Sequence, residues 1–461
     1  MRKFPQTLLL VSALSLLGGC GGRGGSTGPG PGGAPATQFS VSGPATSGAG
    51  LPFTFVVTAL DSTSGVATNY SGTVHFTSSD PSAVLPSNST LMNGTGTFSA
   101  TLTTAGFQSI TATDTASATL NGSLSVTAVA GAFPVASFGA KGDGHTDDTA
   151  AIQSAIDAAG AVGGGSVLFN VALYYTTGTL TVPRGVVLCG PSEGPFDTVG
   201  INPASTAVAA TLLVTNTNGP FLTLQGIGAG VTDLFFDYPK QVAPTAASPN
   251  VYPYTILVTA PGTKILRSTA ANAYNFLDIE VGRVRAEDLY IGAFHYGINI
   301  DHAEDHVALR NIFNQVFWDG PGVSVPSPID GWVMANGVAL VVGRMDSLEL
   351  NDFFVFMRYT GILLTDSPDE TQSPTCGYGS GSDIDLDTVQ YGIVVNASNS
   401  PGYKFSNTNI GSGNGGQAAV HLGTGSMPPK ILINGGEQRG NWSQSPYPTP
   451  GPDTIIESIL P

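Results

Sequence analysis

The chain has 461 residues, of which 61 are glycine and only 10% are charged, against about 7% Gly and about 25% charged in an average globular protein. That composition excludes a helix-rich architecture, whose exposed faces are carried by Glu, Lys and Arg. A balance of 16 basic against 32 acidic residues, net -16, excludes a nucleic-acid partner, because phosphate binding needs clustered cations. A hydrophobic content of 41% excludes wholesale disorder, and glycine without a period of three excludes collagen.

Residues 1–20 place Arg2 and Lys3 ahead of an apolar run at 8–17 and then Gly18-Gly19-Cys20. This is the layout of a secretory signal, and its apolar run is too short to span a bilayer. Leu17-Gly18-Gly19-Cys20 resembles the lipobox of bacterial lipoproteins. The resemblance implies lipidation of Cys20 and, with Gly21 next, sorting to the outer membrane or cell surface; an ordinary cleaved signal is the alternative. Residues 21–37 are a Gly/Pro/Ser tether with nothing to bury, and a flexible chain of that length reaches on the order of 20–25 Å. Cys189 and Cys376 then remain, and an exported setting permits a disulfide without showing that the two meet.

Residues 38–130 contain no Lys or Arg and carry short alternating stretches, among them Phe53-Thr54-Phe55-Val56-Val57, Thr73-Val74-His75-Phe76 and Ser109-Ile110-Thr111-Ala112. Alternation between Gly, Asn and Pro turn signals predicts an antiparallel β-sandwich. Tyr70-Ser71-Gly72-Thr73-Val74-His75-Phe76-Thr77-Ser78-Ser79-Asp80-Pro81 and Thr104-Ala105-Gly106-Phe107-Gln108-Ser109-Ile110-Thr111-Ala112 resemble bacterial immunoglobulin-like repeats. That resemblance implies a spacer or an adhesive element.

Residues 131–461 open with Val135-Ala136-Ser137-Phe138-Gly139-Ala140-Lys141-Gly142-Asp143-Gly144-His145-Thr146-Asp147-Asp148-Thr149. The local pattern is a strand, a glycine turn and a helix capped by Thr146 or Asp147, with Ile152, Ala155, Ile156 and Ala159 as its buried stripe and Gly163-Gly164-Gly165 as its stop. Asp143, Asp147 and Asp148 are explained by that helix start rather than by acid/base work. The segment resembles the N-terminal signature of the pectate-lyase-superfamily (pectate lyase 3-like) proteins, which implies a right-handed parallel β-helix whose open end the helix covers. Further on, strands beginning at Gly337, Gly361, Gly392 and Ala419 repeat at intervals of 24, 31 and 27 residues, each paired with a second strand such as Leu348-Glu349-Leu350 or Ile384-Asp385-Leu386. Repeats of this length without helical periodicity are those of a solenoid. The expected fold class is therefore all-β, a sandwich followed by a β-helix.

Proteins of this superfamily work in a groove along one outward face, so candidate residues must be polar, near strand ends and clustered. Asp301, Glu304, Asp305 and His306 form the densest segment, and with His295 and His302 it gathers three of the six histidines within twelve residues. Such carboxylates could act as general acid and base on a glycosidic oxygen; a solvated turn is the plain alternative. Ile300-Asp301-His302 resembles the Ile-Asp-His string of pectate lyases, without their arginine motif, and the polygalacturonase strings Asn-Thr-Asp and Gly-His-Gly do not occur. If Ile384 and Leu386 point inward, Asp383, Asp385 and Asp387 share an outward face at about 6.5–7 Å spacing and could hold Ca²⁺. Trp318, Trp332 and Tyr378 are candidates to stack on sugar rings. If both acidic segments serve one groove, they lie on the same face of the stack.

These features lead to an exported, membrane-anchored polysaccharide lyase or glycoside hydrolase acting on an extracellular polysaccharide. The rival is a non-catalytic surface protein that binds glycans. The negative charge favours an uncharged glycan, or an acidic one met through a cation.

Overall fold

A computed structural model describes residues 34–191, 209–241, 246–315, 328–367, 377–398, 402–412, 418–422, 431–436, 438–439 and 455–457. The signal with Cys20, most of the tether, Trp318 and Cys376 lie outside these residues. No helix among the described residues is long and apolar enough to cross a membrane.

The first body has two sheets. Gln38–Ser42, Pro52–Leu60 and Thr95–Thr101 pair antiparallel in one; Thr46–Gly48, Asn121–Val129, Gly106–Asp114, Thr73–Ser78 and Ser89–Thr90 make the other. Phe53, Phe55, Val57 and Ala59 are buried while the residues between them are not, the period of two that points alternate side chains into the core. They share one core with Phe76 and Ile110 of the facing sheet and with Leu102.

Beyond Ala132 the chain winds into stacked coils, and every strand pairs parallel with its equivalents in the neighbouring coils. Each coil contributes to three faces. The front face carries Leu180, Leu222, Ile256, Leu277, Ile298, Leu340, Ile362, Ile393 and Val420 in register. The second face carries Val167, Leu188, Val231, Ile265, Ala286, Leu309 and Leu350. The third carries Tyr174, Leu212, Phe236, Ala270, Ile291, Asn314, Val355, Leu386 and Ile410. Apart from Asn314, these inward rows are apolar and close into one core.

The sequence suggested two strands per coil, and the structure has three. The corner between second and third faces is a single left-handed residue, occupied in successive coils by Asp233, Arg267, Asp288, Asn311, Asp352, Asp383 and Asn407, each with φ between 42° and 60°. Asp and Asn adopt this conformation at low cost, and one such residue turns the chain without any glycine or proline to mark it. The strand at Gly297 and those at Gly337, Gly361, Gly392 and Ala418 do stack in one column, the front face.

Helix α1, Thr149–Ala161, buries Ile152, Ala155, Ile156 and Ala159 in the same core as Phe133, Val135 and Leu180, at the N-terminal end of the stack. Asp147 accepts the Thr149 N–H at 3.0 Å and so satisfies one free donor of the first turn. Thr146 does not cap the helix: its N–H and hydroxyl both donate to Asp143, at 2.7 Å each. Asp148 instead accepts the Lys141 and Gly142 N–H groups at 2.6 and 3.0 Å, which pins the glycine turn. Gly163, with φ 92°, ends the helix. Cys189 is a free thiol.

Asp237 on the third face is 2% exposed and receives the Asn272 amide at 3.1 Å. Burial pushes its carboxyl up to about 6, with the Asn272 bond pulling the other way. A raised acid binds its proton more tightly folded than unfolded. The folded state is therefore favoured below the ordinary value of about 4, and that advantage is lost as pH rises through about 6. We expect Asp237→Asn to stabilise the fold by roughly 2–3 kcal/mol at neutral pH and not at all near pH 4, read by urea denaturation at the two pH values.

Candidate active site

The acidic segment at 301–306 lies at the corner between the front and second faces, and its groups are already engaged. Asp301 is buried and accepts the N–H groups of His302 at 3.0 Å and Arg344 at 2.8 Å and the Ser367 hydroxyl at 2.8 Å, stitching adjacent coils together. Glu304 pairs with Arg344 at 2.9 Å and Asp305 with Arg283 at 2.7 Å. The His306 ring lies 3.4 Å from Glu349, which also takes Arg310 at 2.7 Å. Ion pairs this exposed contribute little stability, and each carboxylate of the segment already has a polar partner.

Ile384 and Leu386 do point inward, and Asp385 and Asp387 point out from the third face. Asp383 does not join them: it sits at the left-handed corner, φ 57°, where Asn407 donates to its carboxylate at 2.5 Å. The shared outward face expected for the three carboxylates is therefore not formed, and among the described residues no group of three or more His, Cys, Asp or Glu is arranged to hold a metal ion. These residues do not fit a Ca²⁺ site. The two acidic segments also lie on different faces, so they do not serve one groove. Tyr378 is 40% exposed at the start of a second-face strand.

What the coils bring together is on the front face. Asn275–Ile279 and Tyr296–Ile300 share one burial pattern, with only the first and fourth side chains turned outward. Stacking sets Asp278 directly beneath Asn299, whose amide donates to the Asp278 carboxylate at 2.8 Å. Asn275 accepts the Tyr296 N–H at 3.1 Å and lies 3.2 Å from His295. His295 stacks on Tyr274 at 5.0 Å and lies 5.9 Å from Trp332, which is carried by a second helix, α2, Pro328–Asn336.

The electrostatics single out Asp278. Burial pushes its carboxyl up to about 6; nearby Glu280 and Asp301 push the same way, while Asn299 and His302 oppose. Burial, Asp278 and Tyr296 together raise the Tyr254 phenol, and burial and Tyr296 raise Tyr274. Burial and then the Arg358 charge lower His295, leaving it neutral near pH 7. A carboxyl raised to about 6 beside phenols and an amide is an arrangement suited to acid–base catalysis. The signal was present as Leu277-Asp278-Ile279 and Ile298-Asn299-Ile300, apolar–polar–apolar triplets 21 residues apart. A search for dense charge passes over both.

Residues 132–230 match the family model of Rhamnogalacturonase A/epimerase, pectate lyase-like proteins. The match covers α1 and the first coils and ends before Asp278. Over 69 residues the chain is 46% identical to the mannuronan C5-epimerase AlgE3 of Azotobacter vinelandii, covering 13% of this chain and 4% of that protein. It is 56% identical over 69 residues to alginate lyase 7 of the same organism, covering 13% and 8%. The chain thus spans less than a tenth of the length of these curated relatives. Among solved structures, the A-module of the A. vinelandii mannuronan C-5 epimerase AlgE4 aligns with a TM-score of 0.33 at 16% identity, over 70% of this chain and 99% of that one.

Proposed function

We propose that this protein cleaves a polysaccharide in the front-face groove, with Asp278 as the proton-transferring group. The observation that carries the reading is the Asp278 carboxyl, raised to about 6 and oriented by Asn299. A carboxyl that holds its proton up to about pH 6 can give it to a glycosidic oxygen as the bond breaks, and the exposed Glu280, two residues further along the same coil, activates water. Tyr254 and Tyr296 supply hydroxyls for the sugar. The reaction consumes one water and leaves a reducing end.

A second reading is favoured by the relatives named as an epimerase and an alginate lyase. There Asp278, ionised, removes the proton beside a uronate carboxylate, and the leaving group departs by β-elimination. Incubating the full-length protein with a panel of neutral and uronate-containing polysaccharides separates the two. New reducing ends alone support hydrolysis, reducing ends with unsaturated uronate absorbance support elimination, and binding without product overturns both in favour of a glycan-binding surface protein.

The remainder of the proposal is delivery. Cys20 anchors the protein in a membrane after export, and the N-terminal sandwich acts as an immunoglobulin-like spacer. With Cys20→Ala, incorporation of labelled palmitate is expected to be lost and the protein to move to the soluble fraction; continued labelling would refute the anchor.

A further inference from the structure

Outward positions of a solenoid face are ordinarily polar; in the front-face column Leu257 below Asp278 is a single departure, and the departure becomes a continuous run on the other side. In register above Asp278 and Asn299 stand Val341, Leu363 and Val394, all turned outward, followed by His421. Coils are spaced by about 4.8 Å, so this strip runs from about 10 Å to about 24 Å beyond Asp278 along the stack. Over it lies a groove of about 470 Å³, walled by Asn336 at the end of α2 and by Tyr359, Tyr391 and His421 over a floor of Leu363 and Val394. Tyr391 packs edge-on against Tyr359 at 5.3 Å and His421 at 5.4 Å. Burial lowers the His421 ring below its usual value, so it is neutral near pH 7. No charged side chain among the described residues lines the groove.

A row of aliphatic and aromatic groups continuous with the reacting carboxyl, on a protein of net charge -16, matches one kind of ligand. The C–H faces of pyranose rings pack on tyrosine and aliphatic surface, whereas a row of uronates would leave anions unpaired against apolar walls. One sugar unit advances an extended glycan by about as much as one coil. We propose that this groove holds an uncharged pyranose stretch of the polysaccharide chain whose reacting unit lies at Asp278. The proposal rests on Asp278 being the reacting end. It adds the substrate class and a length requirement: chains must extend over several coils to gain the contact.

The test uses full-length protein on a printed array of neutral, N-acetylated and uronate oligosaccharides of graded length. The wild type and Asp278→Asn should both bind the longer uncharged chains. Tyr391→Ala and Val394→Asp, both at outward positions, should bind those chains about tenfold more weakly, as for loss of one stacked ring, with near-ultraviolet circular dichroism showing that the fold is kept. Binding confined to uronates, or unchanged affinity in both groove variants, overturns the proposal; if the wild type still forms product that Asp278→Asn does not, the Asp278 reading survives it. No binding and no product from any glycan on the array would overturn both.

Discussion

Asp278→Asn is expected to lower kcat/KM by roughly 10²–10⁴-fold, the usual contribution of a positioned acid or base. The substitution keeps the shape and the hydrogen bond to Asn299 but removes the exchangeable proton, so glycan binding should persist while product formation is lost. The pH profile decides the role. If the protonated carboxyl is the acid that cleaves a glycosidic bond, kcat/KM falls as pH rises through about 6; if the carboxylate is the base of an elimination, it rises through the same value. A profile flat across that value, or an Asp278→Asn variant as active as the wild type, would remove Asp278 from the chemistry.

The second large effect is expected inside the coils. Arg358 is fully buried, and its guanidinium donates through Nε to Asn314 Oδ1 at 2.9 Å, through a second nitrogen to the same oxygen, and at 3.5 Å to the Phe294 carbonyl. Burial lowers it to about 9, yet it stays charged at neutral pH. Removing the acceptor with Asn314→Ala leaves a buried cation short of partners and should cost about 3–5 kcal/mol. Arg358→Met removes the charge itself and should change stability by about 1 kcal/mol or less. The double variant should recover most of the Asn314→Ala loss, a coupling that a double-mutant cycle in urea measures directly. Additive single effects would show that the amide does not support the charge.

This buried pair also bears on the groove. Asn314 Nδ2 lies 2.0 Å from where a Cβ on Gly297 would stand, so only glycine fits beside Tyr296. The Arg358 charge is in turn one of the two causes that keep His295 neutral. Losing Asn314 should therefore disturb the front face as well as the core.

Much of the architecture could be read along the chain because its causes are local. The Ile152 and Ile156 stripe and the Gly163 stop follow from spacing within one helix; its N-cap position is Asp148, without a side-chain capping bond, rather than the expected Thr146 or Asp147. Period-two burial in Phe53, Phe55 and Val57 and the recurring strands at Gly337, Gly361 and Gly392 need only the pleat and the repeat. The third strand of each coil escaped notice because one left-handed Asp or Asn, such as Asp352 or Asp383, turns the corner without a glycine or proline.

Which residues are candidates for chemistry depends on contacts the linear order does not display. Charge density pointed to Glu304, Asp305 and His306, but stacking supplies each with a partner from a neighbouring coil, Arg344, Arg283 and Glu349. Asp278 stands outside the dense acidic segment, with Glu280 two residues on, and becomes distinctive only when winding buries it, sets Asn299 above it and brings Asp301 near enough to raise it. Composition and periodicity determined a glycine-rich, acidic, all-β chain with a solenoid, because propensity and alternation act within a few residues; that a helix covers the solenoid's end was implied by the resemblance of residues 135–149 to pectate-lyase-superfamily proteins. The tertiary structure decided which carboxyl is perturbed, because desolvation and Coulomb interaction depend on neighbours through space.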